Sequence, residues 1–371
     1  MSDMSTPPVM PGAIPPPPPP PLPSVPPPAI VQMPSRRRGW LLGCLLVLGA
    51  LAAMVLVVVV IVIAAVAIAG SSLTGRAGKS YGTEALVSGS DKQVIAVLDV
   101  AGTIDDEQAR AFDLFCRQVE DEHHVKAIVL RVVSGGGEVS SCDQMYTMLK
   151  GLKARTGKKV VVSMGGVAAS GGYYISCPAD HIYAEPATIT GSIGVIAIYP
   201  MIKGTLDKIG VKMMIVRSDH ACGWKAAPNP FEEPTGYQMQ DLRNALNTMH
   251  ARFEGIVRAE RGGKLNIEAA RKIAPATQRA ELNEFVPFDG RTYLGEEAKT
   301  VGLVDSVGYL KDAIDAAARL ADLSQPKVVQ YVRRVSLLRE MGFGGQTSLI
   351  DVKALEQYQT PRLMMVWRLG E

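Results

Sequence analysis

The stretch VVVSMGGVAASGGYY, residues 160–174, decides the fold. Val160–Met164 is a short apolar run rich in β-branched residues and reads as a strand. Gly165-Gly166 predicts a turn that leads to Ser170, and Gly171-Gly172-Tyr173-Tyr174 opens a helix. A serine at a strand-to-helix junction lies where free backbone N–H groups collect. The N–H of Gly171 can there face a developing oxyanion, and the small residues let a substrate backbone approach. The same serine also suits a plain helix cap in a glycine-rich turn, so the segment alone leaves both readings open.

Strands and helices alternate on both sides of this stretch. Val94–Val100 and Ala127–Val133 read as strands, with further short ones over Ile182–Ala184, Ile193–Ile198 and Met213–Val216. Helices are predicted over Asp105–Glu120, Ser141–Ala154, Thr235–Glu260, Ile267–Ile273, Gly295–Thr300 and Leu310–Leu323. Met145, Met148, Leu149 and Leu152 share one face of the second of these. Such alternation predicts an α/β domain with a largely parallel sheet and crossover helices.

A second loop at the same sheet edge is expected to supply another oxyanion donor. Ser134-Gly135-Gly136-Gly137 follows a strand and fits, as would a phosphate loop or a simple turn. A phosphate loop closes on Gly-Lys-Ser/Thr, whereas this segment continues Glu138-Val139-Ser140, which argues against a nucleotide.

A nucleophilic serine needs a base. The five histidines are His123, His124, His181, His220 and His250, and none has a recognisable triad context. Lys225, in Gly223-Trp224-Lys225-Ala226-Ala227-Pro228, is the alternative. Lysine acts as a base only when neutral, a form favoured by apolar surroundings. By position alone an exposed surface lysine is the commoner reading of this segment, because lysine is rarely buried.

Outside the α/β region the chain changes character. Residues 1–38 are proline-rich, including Pro15–Pro20, and predict a disordered tail. Residues 39–70 hold Leu41–Ala69, which has no charged side chain and is longer than the about 20 residues that cross a bilayer. Arg36-Arg37-Arg38 precedes it, placing the N-terminus in the cytoplasm and the rest outside, in a bacterial inner membrane. Residues 71–92 read as a linker, 93–325 as the catalytic domain, and 326–371 as a C-terminal extension available for contact between copies. The net charge of +3 on 371 residues gives no sign of nucleic-acid binding. The five cysteines lack metal-ligand spacing, so no metal is expected.

Several ordered motifs together resemble the signal peptide peptidase A family of serine peptidases. They are Ala169-Ser170-Gly171-Gly172-Tyr173-Tyr174, Thr190-Gly191-Ser192-Ile193-Gly194-Val195, Trp224-Lys225-Ala226-Ala227, Asp289–Ala298 and Gly302-Leu303-Val304-Asp305. The resemblance covers about Val94 to Leu323. It implies a ClpP/crotonase-like fold and a Ser–Lys dyad with no cofactor. Ser170 would be the nucleophile, Lys225 the general base and Ser192 the group orienting the lysine. Gly171 and Gly136 would supply the oxyanion N–H groups. It further implies a membrane-tethered homo-oligomeric ring, with each site completed near a neighbouring subunit, that degrades remnant signal peptides and other hydrophobic peptides. The loop here reads Ser-Gly-Gly-Gly where the family usually has Ser-Pro-Gly-Gly, and the segment before Lys225 is longer than usual. A catalytically inactive membrane scaffold and a crotonase-like acyl-transfer enzyme are the alternatives the same fold allows.

Overall fold

The computed structural model describes residues 48–51, 53–60, 81–221, 224–225, 228–273, 284–333 and 363–366. Two units separate along the chain, Met1–Arg76 and Ala77–Glu371. In the first, residues 48–51 and 53–60 are helical and expose Leu48, Leu51 and Met54. Among the described residues no helix is long and apolar enough to cross a membrane. Most of Leu41–Ala69, like the proline-rich tail, lies outside those residues.

The second unit is built from strands β1 (Tyr81–Val87), β2 (Ser90–Ala101), β3 (Val125–Ser134), β4 (Gly136–Glu138), β5 (Lys159–Ala169), β6 (His181–Ala184), β7 (Ile189–Gly191), β8 (Ile196–Ala197), β9 (Thr292–Leu294), β10 (Ser306–Val307), β11 (Pro326–Arg333) and β12 (Leu363–Val366). The helices are α1 (Asp106–Asp121), α2 (Val139–Thr156), α3 (Gly171–Ser176), α4 (Lys203–Lys208), α5 (Gly236–Arg261), α6 (Ile267–Ile273), α7 (Gly295–Val301) and α8 (Leu310–Leu320). The main sheet runs β1-β11-β2-β3-β5-β6-β10, with β7 on the far half of β5 and β9 on β7. From β11 to β10 the neighbours are parallel; β1–β11 and β7–β9 are antiparallel. The sheet is therefore mixed.

The central strands are apolar throughout because both sheet faces are covered. Ala96, Leu98, Ile128, Leu130, Val160 and Val162 point to one side, where they meet Phe112 and Phe115 of α1 and Met145 and Leu149 of α2. The intervening Ile95, Val97, Ala127, Val129 and Val161 point to the other, onto Ala313, Ala316 and Ala317 of α8. This is the period of two expected of a strand. Helix ends follow their side chains: Asp105 caps α1 by accepting from Gln108 N at 2.9 Å, and Thr235 caps α5 in a box with Gln238.

Three expectations are corrected. The turn at Gly165-Gly166 is a bulge: Val132 pairs with Met164 but Ser134 with Ala168, so β5 carries two extra residues and continues to Ala169. Met213–Val216 forms no strand; Met214 and Val216 are exposed, and no strand pairs with them among the described residues. Of Ile193–Ile198, only Ile196–Ala197 is extended into pairing. The sheet also extends past both domain boundaries read from the sequence, since β1 falls in the expected linker and β11 in the expected extension.

Candidate active site

The carboxyl ends of β2, β3, β5 and β7 meet at one edge, where an open α/β sheet forms its crevice. Ser170 follows β5 there. Its φ of 52° and ψ of −115° form a sharp strand-to-helix turn that a non-glycine residue adopts only under strain, of order 1–3 kcal/mol. The residue is 1% exposed. Its N–H donates to the Gly191 carbonyl at 2.8 Å and its carbonyl accepts from Tyr174 N at 2.9 Å. The backbone is thereby fixed on both sides.

Helix α3 is held by its two tyrosines. Tyr173 Oη donates to the Leu303 carbonyl at 2.9 Å, and Tyr174 Oη donates to Asp143 Oδ1 at 2.6 Å. Burial, reinforced by that bond to Asp143, pushes the Tyr174 phenol well above its usual range, so it remains a donor. Arg252 grips the same carboxylate through Nε at 2.9 Å and Nη2 at 2.7 Å. The Tyr174 ring lies 4.8 Å from Phe253 and 5.6 Å from Tyr146, so α2, α3 and α5 are locked together behind the serine.

The two glycines expected to face an oxyanion are brought together. A Cβ on Gly171 would lie 2.4 Å from Cys142 Sγ, 3.0 Å from Gly136 Cα and 3.1 Å from Gly137 N. Only glycine permits that approach. Gly171 is the first helical residue, where the helix supplies no acceptor for its N–H. Gly136 has a φ of 103° and donates its N–H to Ser134 Oγ at 3.1 Å. Ser134 Oγ in turn donates to the Gly102 carbonyl at 2.6 Å. The Gly136 N–H is thus engaged within its own turn.

Ser192 is set beside Ser170 by strand pairing, because Ala169 stands opposite Gly191. It is buried, has a φ of 51°, and donates its N–H to the Arg291 carbonyl at 2.8 Å. Arg291 Nε pairs with Asp289 Oδ2 at 2.6 Å. The Asp289–Ala298 segment therefore props β7 and Ser192 through β9.

Lys225 is not brought to this group. It is exposed, and its carbonyl accepts from Arg217 Nε at 2.6 Å. Arg217 is paired with Glu232, which also accepts from Asn229 Nδ2 at 2.9 Å. Trp224 is exposed, with its ring 5.2 Å from that of Tyr237. Among the described residues the Lys225 amine makes no hydrogen bond or ion pair, and Ser170 Oγ has no hydrogen-bond partner. Cys222, Gly223, Ala226 and Ala227 lie outside the described residues.

The histidines do not replace it. His181 pairs in register with Val161, nine residues before Ser170 along β5, which at strand rise is roughly 20–30 Å away. Its Nε2 contacts Ser306 Oγ at 3.0 Å, and burial lowers its pKa. His220 is exposed in a short turn at Asp219–Ala221.

The sequence carries no local mark of the bracing pair Asp143 and Arg252, which are 109 positions apart, and the motif Asp289–Ala298 does not by itself reveal that Arg291 props Ser192.

A model described as peptidase family S49 matches residues 153–324. Protease 4 of Haemophilus influenzae is 33% identical over 244 residues, 64% of this chain and 36% of its own. A putative protease of Synechocystis sp. is 32% identical over 239 residues, 64% of this chain and 78% of its own. A putative signal peptide peptidase of Enterococcus faecium is 28% identical over 279 residues, 70% of this chain and 75% of its own. The chain spans about a third of the length of the Protease 4 relatives from H. influenzae and Salmonella typhi, 36% and 32% respectively. Among solved structures, a membrane-bound stomatin-specific protease superposes with a TM-score of 0.35 at 13% identity, covering 61% of this chain and 85% of its own. A ClpP1 variant from Listeria monocytogenes gives 0.36 at 17%, covering 59% and 94%. At these scores neither likeness bears on the fold.

Proposed function

The chain belongs to peptidase family S49, and from that membership we propose that it is a serine endopeptidase in which Ser170 is the nucleophile. The observation that carries the reading is the strained, buried Ser170 turn, with Ser192 beside it and Gly136 packed on Gly171. Strain retained at a buried serine whose hydroxyl has no hydrogen-bond partner among the described residues is what a positioned nucleophile requires.

In this reading Lys225, as the neutral amine, takes the Ser170 proton while Oγ attacks a peptide carbonyl. Ser192 orients the lysine. Backbone N–H groups of Gly171 and Gly136 hold the oxyanion, the latter after releasing Ser134 Oγ. An acyl-enzyme forms, and water then releases it with the lysine again as base. No cofactor takes part.

The exposed Lys225 is reconciled with this chemistry by assembly. We place the chain in a homo-oligomeric ring of ClpP/crotonase-like protomers, with each site completed near a neighbouring subunit. The exposed Ile198, Ile209, Met214, Val216 and Trp224, in the same part of the chain as Lys225, supply an apolar surface for that contact. Leu41–Ala69 would anchor the ring in the bacterial inner membrane with the N-terminus cytoplasmic. Its substrates would be remnant signal peptides and other hydrophobic peptides. The same exposed lysine also favours, as a second reading, a membrane scaffold without activity.

The test is hydrolysis of a fluorogenic apolar peptide by the full chain. Ser170→Ala and Lys225→Ala should each lower the rate by about a thousandfold or more, with EDTA harmless. A Lys225→Ala chain at near wild-type rate would overturn the dyad. A wild-type chain inert in its assembled form would favour the scaffold.

A further inference from the structure

The two backbone donors expected to hold an oxyanion belong to different parts of the fold. Gly136 opens β4, which leads into α2, and Gly171 is the first residue of α3. An oxyanion is held well only when both N–H groups come within about 2.7–3.1 Å of one point. The spacing of α2 and α3 therefore has to be set from both sides.

One side is a contact and the other a bond. Cys142 Sγ fills the space against Gly171, where a Cβ would come within 2.4 Å, so the two helices are kept from closing. The next residue, Asp143, accepts from Tyr174 Oη at 2.6 Å, so they are kept from parting. Among the described residues this is the one polar bond between α2 and α3. Tyr174 is fully buried, and its N–H donates to the Ser170 carbonyl at 2.9 Å. Asp143 thus reaches the nucleophile through one side chain and one backbone hydrogen bond. Helix α3 has six residues, too few to be stable alone. The carboxylate is itself fixed, since Arg252 Nη2 of α5 donates to both its oxygens, at 2.7 and 2.9 Å. Helix α5 is tied to α2 a second time by Glu260, which accepts from Tyr146 Oη and Lys150 Nζ at 2.7 Å each. Helices α2 and α5 so form a braced frame. Apolar packing and the single bond to Asp143 join α3 to it.

From this arrangement we propose that Asp143 is a positioning residue for the oxyanion donors, acting through Tyr174 to hold the Gly171 N–H in place against the glycine turn. It touches no reacting atom. The inference rests on the peptidase reading above and adds a residue outside its serine, lysine and glycine set. Its loss falls on the tetrahedral states, because the ground-state peptide places no developed charge at that point and the oxyanion does. A misplacement of about 1 Å is enough to lower the rate about a hundredfold.

Tyr174→Phe keeps the ring packing and the Arg252–Asp143 pair and removes only the connecting bond. The assembled full chain is to be assayed on a fluorogenic apolar peptide as wild type, Tyr174→Phe, Asp143→Ala, Asp143→Asn and the double variant Tyr174→Phe/Asp143→Ala. Tyr174→Phe and Asp143→Ala should each lower kcat by about tenfold to a hundredfold, with KM within about twofold. A peptide aldehyde, which forms a tetrahedral adduct on Ser170, should bind more weakly by the same factor. The double variant should fall no further than the slower single one, since the two groups act as a unit. Asp143→Asn keeps an acceptor for Tyr174 and should regain most of the rate. Each variant is also melted, because a merely structural role lowers Tm and leaves the kcat of the folded chain unchanged. Tyr174→Phe at the wild-type kcat, a loss confined to KM, or losses that multiply in the double variant would overturn the inference and leave the peptidase reading standing. A wild-type chain inert on the peptide and unreactive with the aldehyde brings down both.

Discussion

Replacing Ser170 by glycine and by alanine separates backbone strain from side-chain chemistry. At a φ of 52° and ψ of −115° a Cβ is strained by about 1–3 kcal/mol. Glycine removes that strain but loses more chain entropy on folding, a cost of about 0.5–1 kcal/mol. The net for Ser170→Gly is a stabilisation of about 1 kcal/mol. Ser170→Ala keeps the strained backbone and loses a hydroxyl that has no hydrogen-bond partner among the described residues, so it should be near neutral. For a domain of this size, 1 kcal/mol corresponds to a Tm shift of roughly 2–4 °C. Differential scanning calorimetry on the two variants reads it directly. The glycine variant should melt above the alanine variant, and both should be inactive on peptides. A glycine variant melting several degrees below alanine would refute the strain argument. It would mean that a Cβ at this position stabilises the turn instead of straining it.

Other outcomes follow from packing and charge. Gly171→Ala places a methyl 2.4 Å from Cys142 Sγ and against Gly136, so it should cost about 1–3 kcal/mol in urea unfolding and sharply lower peptide hydrolysis. Pairing it with Cys142→Ala should return most of the stability and less of the activity. Arg261, buried with Asp305 at 2.8 Å, should cost about 3–5 kcal/mol when changed to Met, because the largely buried Asp305 charge is left with the exposed Lys264 amine and the Ile182 N–H. Burial pushes the Asp305 carboxyl up, but hydrogen bonds from Arg261 and Lys264 outweigh it and hold the pKa at about 2. That depressed value contributes about 2 kcal/mol, fully present above the unfolded carboxylate range near 4. It is lost as pH falls from about 4 through about 2, and Asp305→Asn should flatten that part of the acid-unfolding curve.

The central strands were legible because burial on both faces leaves one apolar run after another, as in Val94–Val100 and Ala127–Val133. Helix starts such as that of α1 were legible from the capping aspartate alone. β1 was not, since most of Tyr81–Val87 is exposed at the edge of the sheet and its pattern carries little signal. β7 and β9 are three residues each, too short for a period to register. Met213–Val216 misled for the opposite reason, being an apolar run that pairs with no strand among the described residues. The serine turn and the glycine turn are local and were read in place. The position of Lys225 relative to them depends on how distant loops meet, and a single chain leaves it at the surface. The props on the serine, from Asp143 with Arg252 and from Arg291, arise only when distant segments fold together.

The central claim is that Ser170 is a nucleophile activated by Lys225. Its most direct test is labelling of the intact, assembled chain with a fluorophosphonate, followed by peptide mapping. The wild type should carry the adduct on Ser170, and Ser170→Ala and Lys225→Ala should carry none. An adduct at another residue, or Lys225→Ala labelled as fast as wild type, would contradict it.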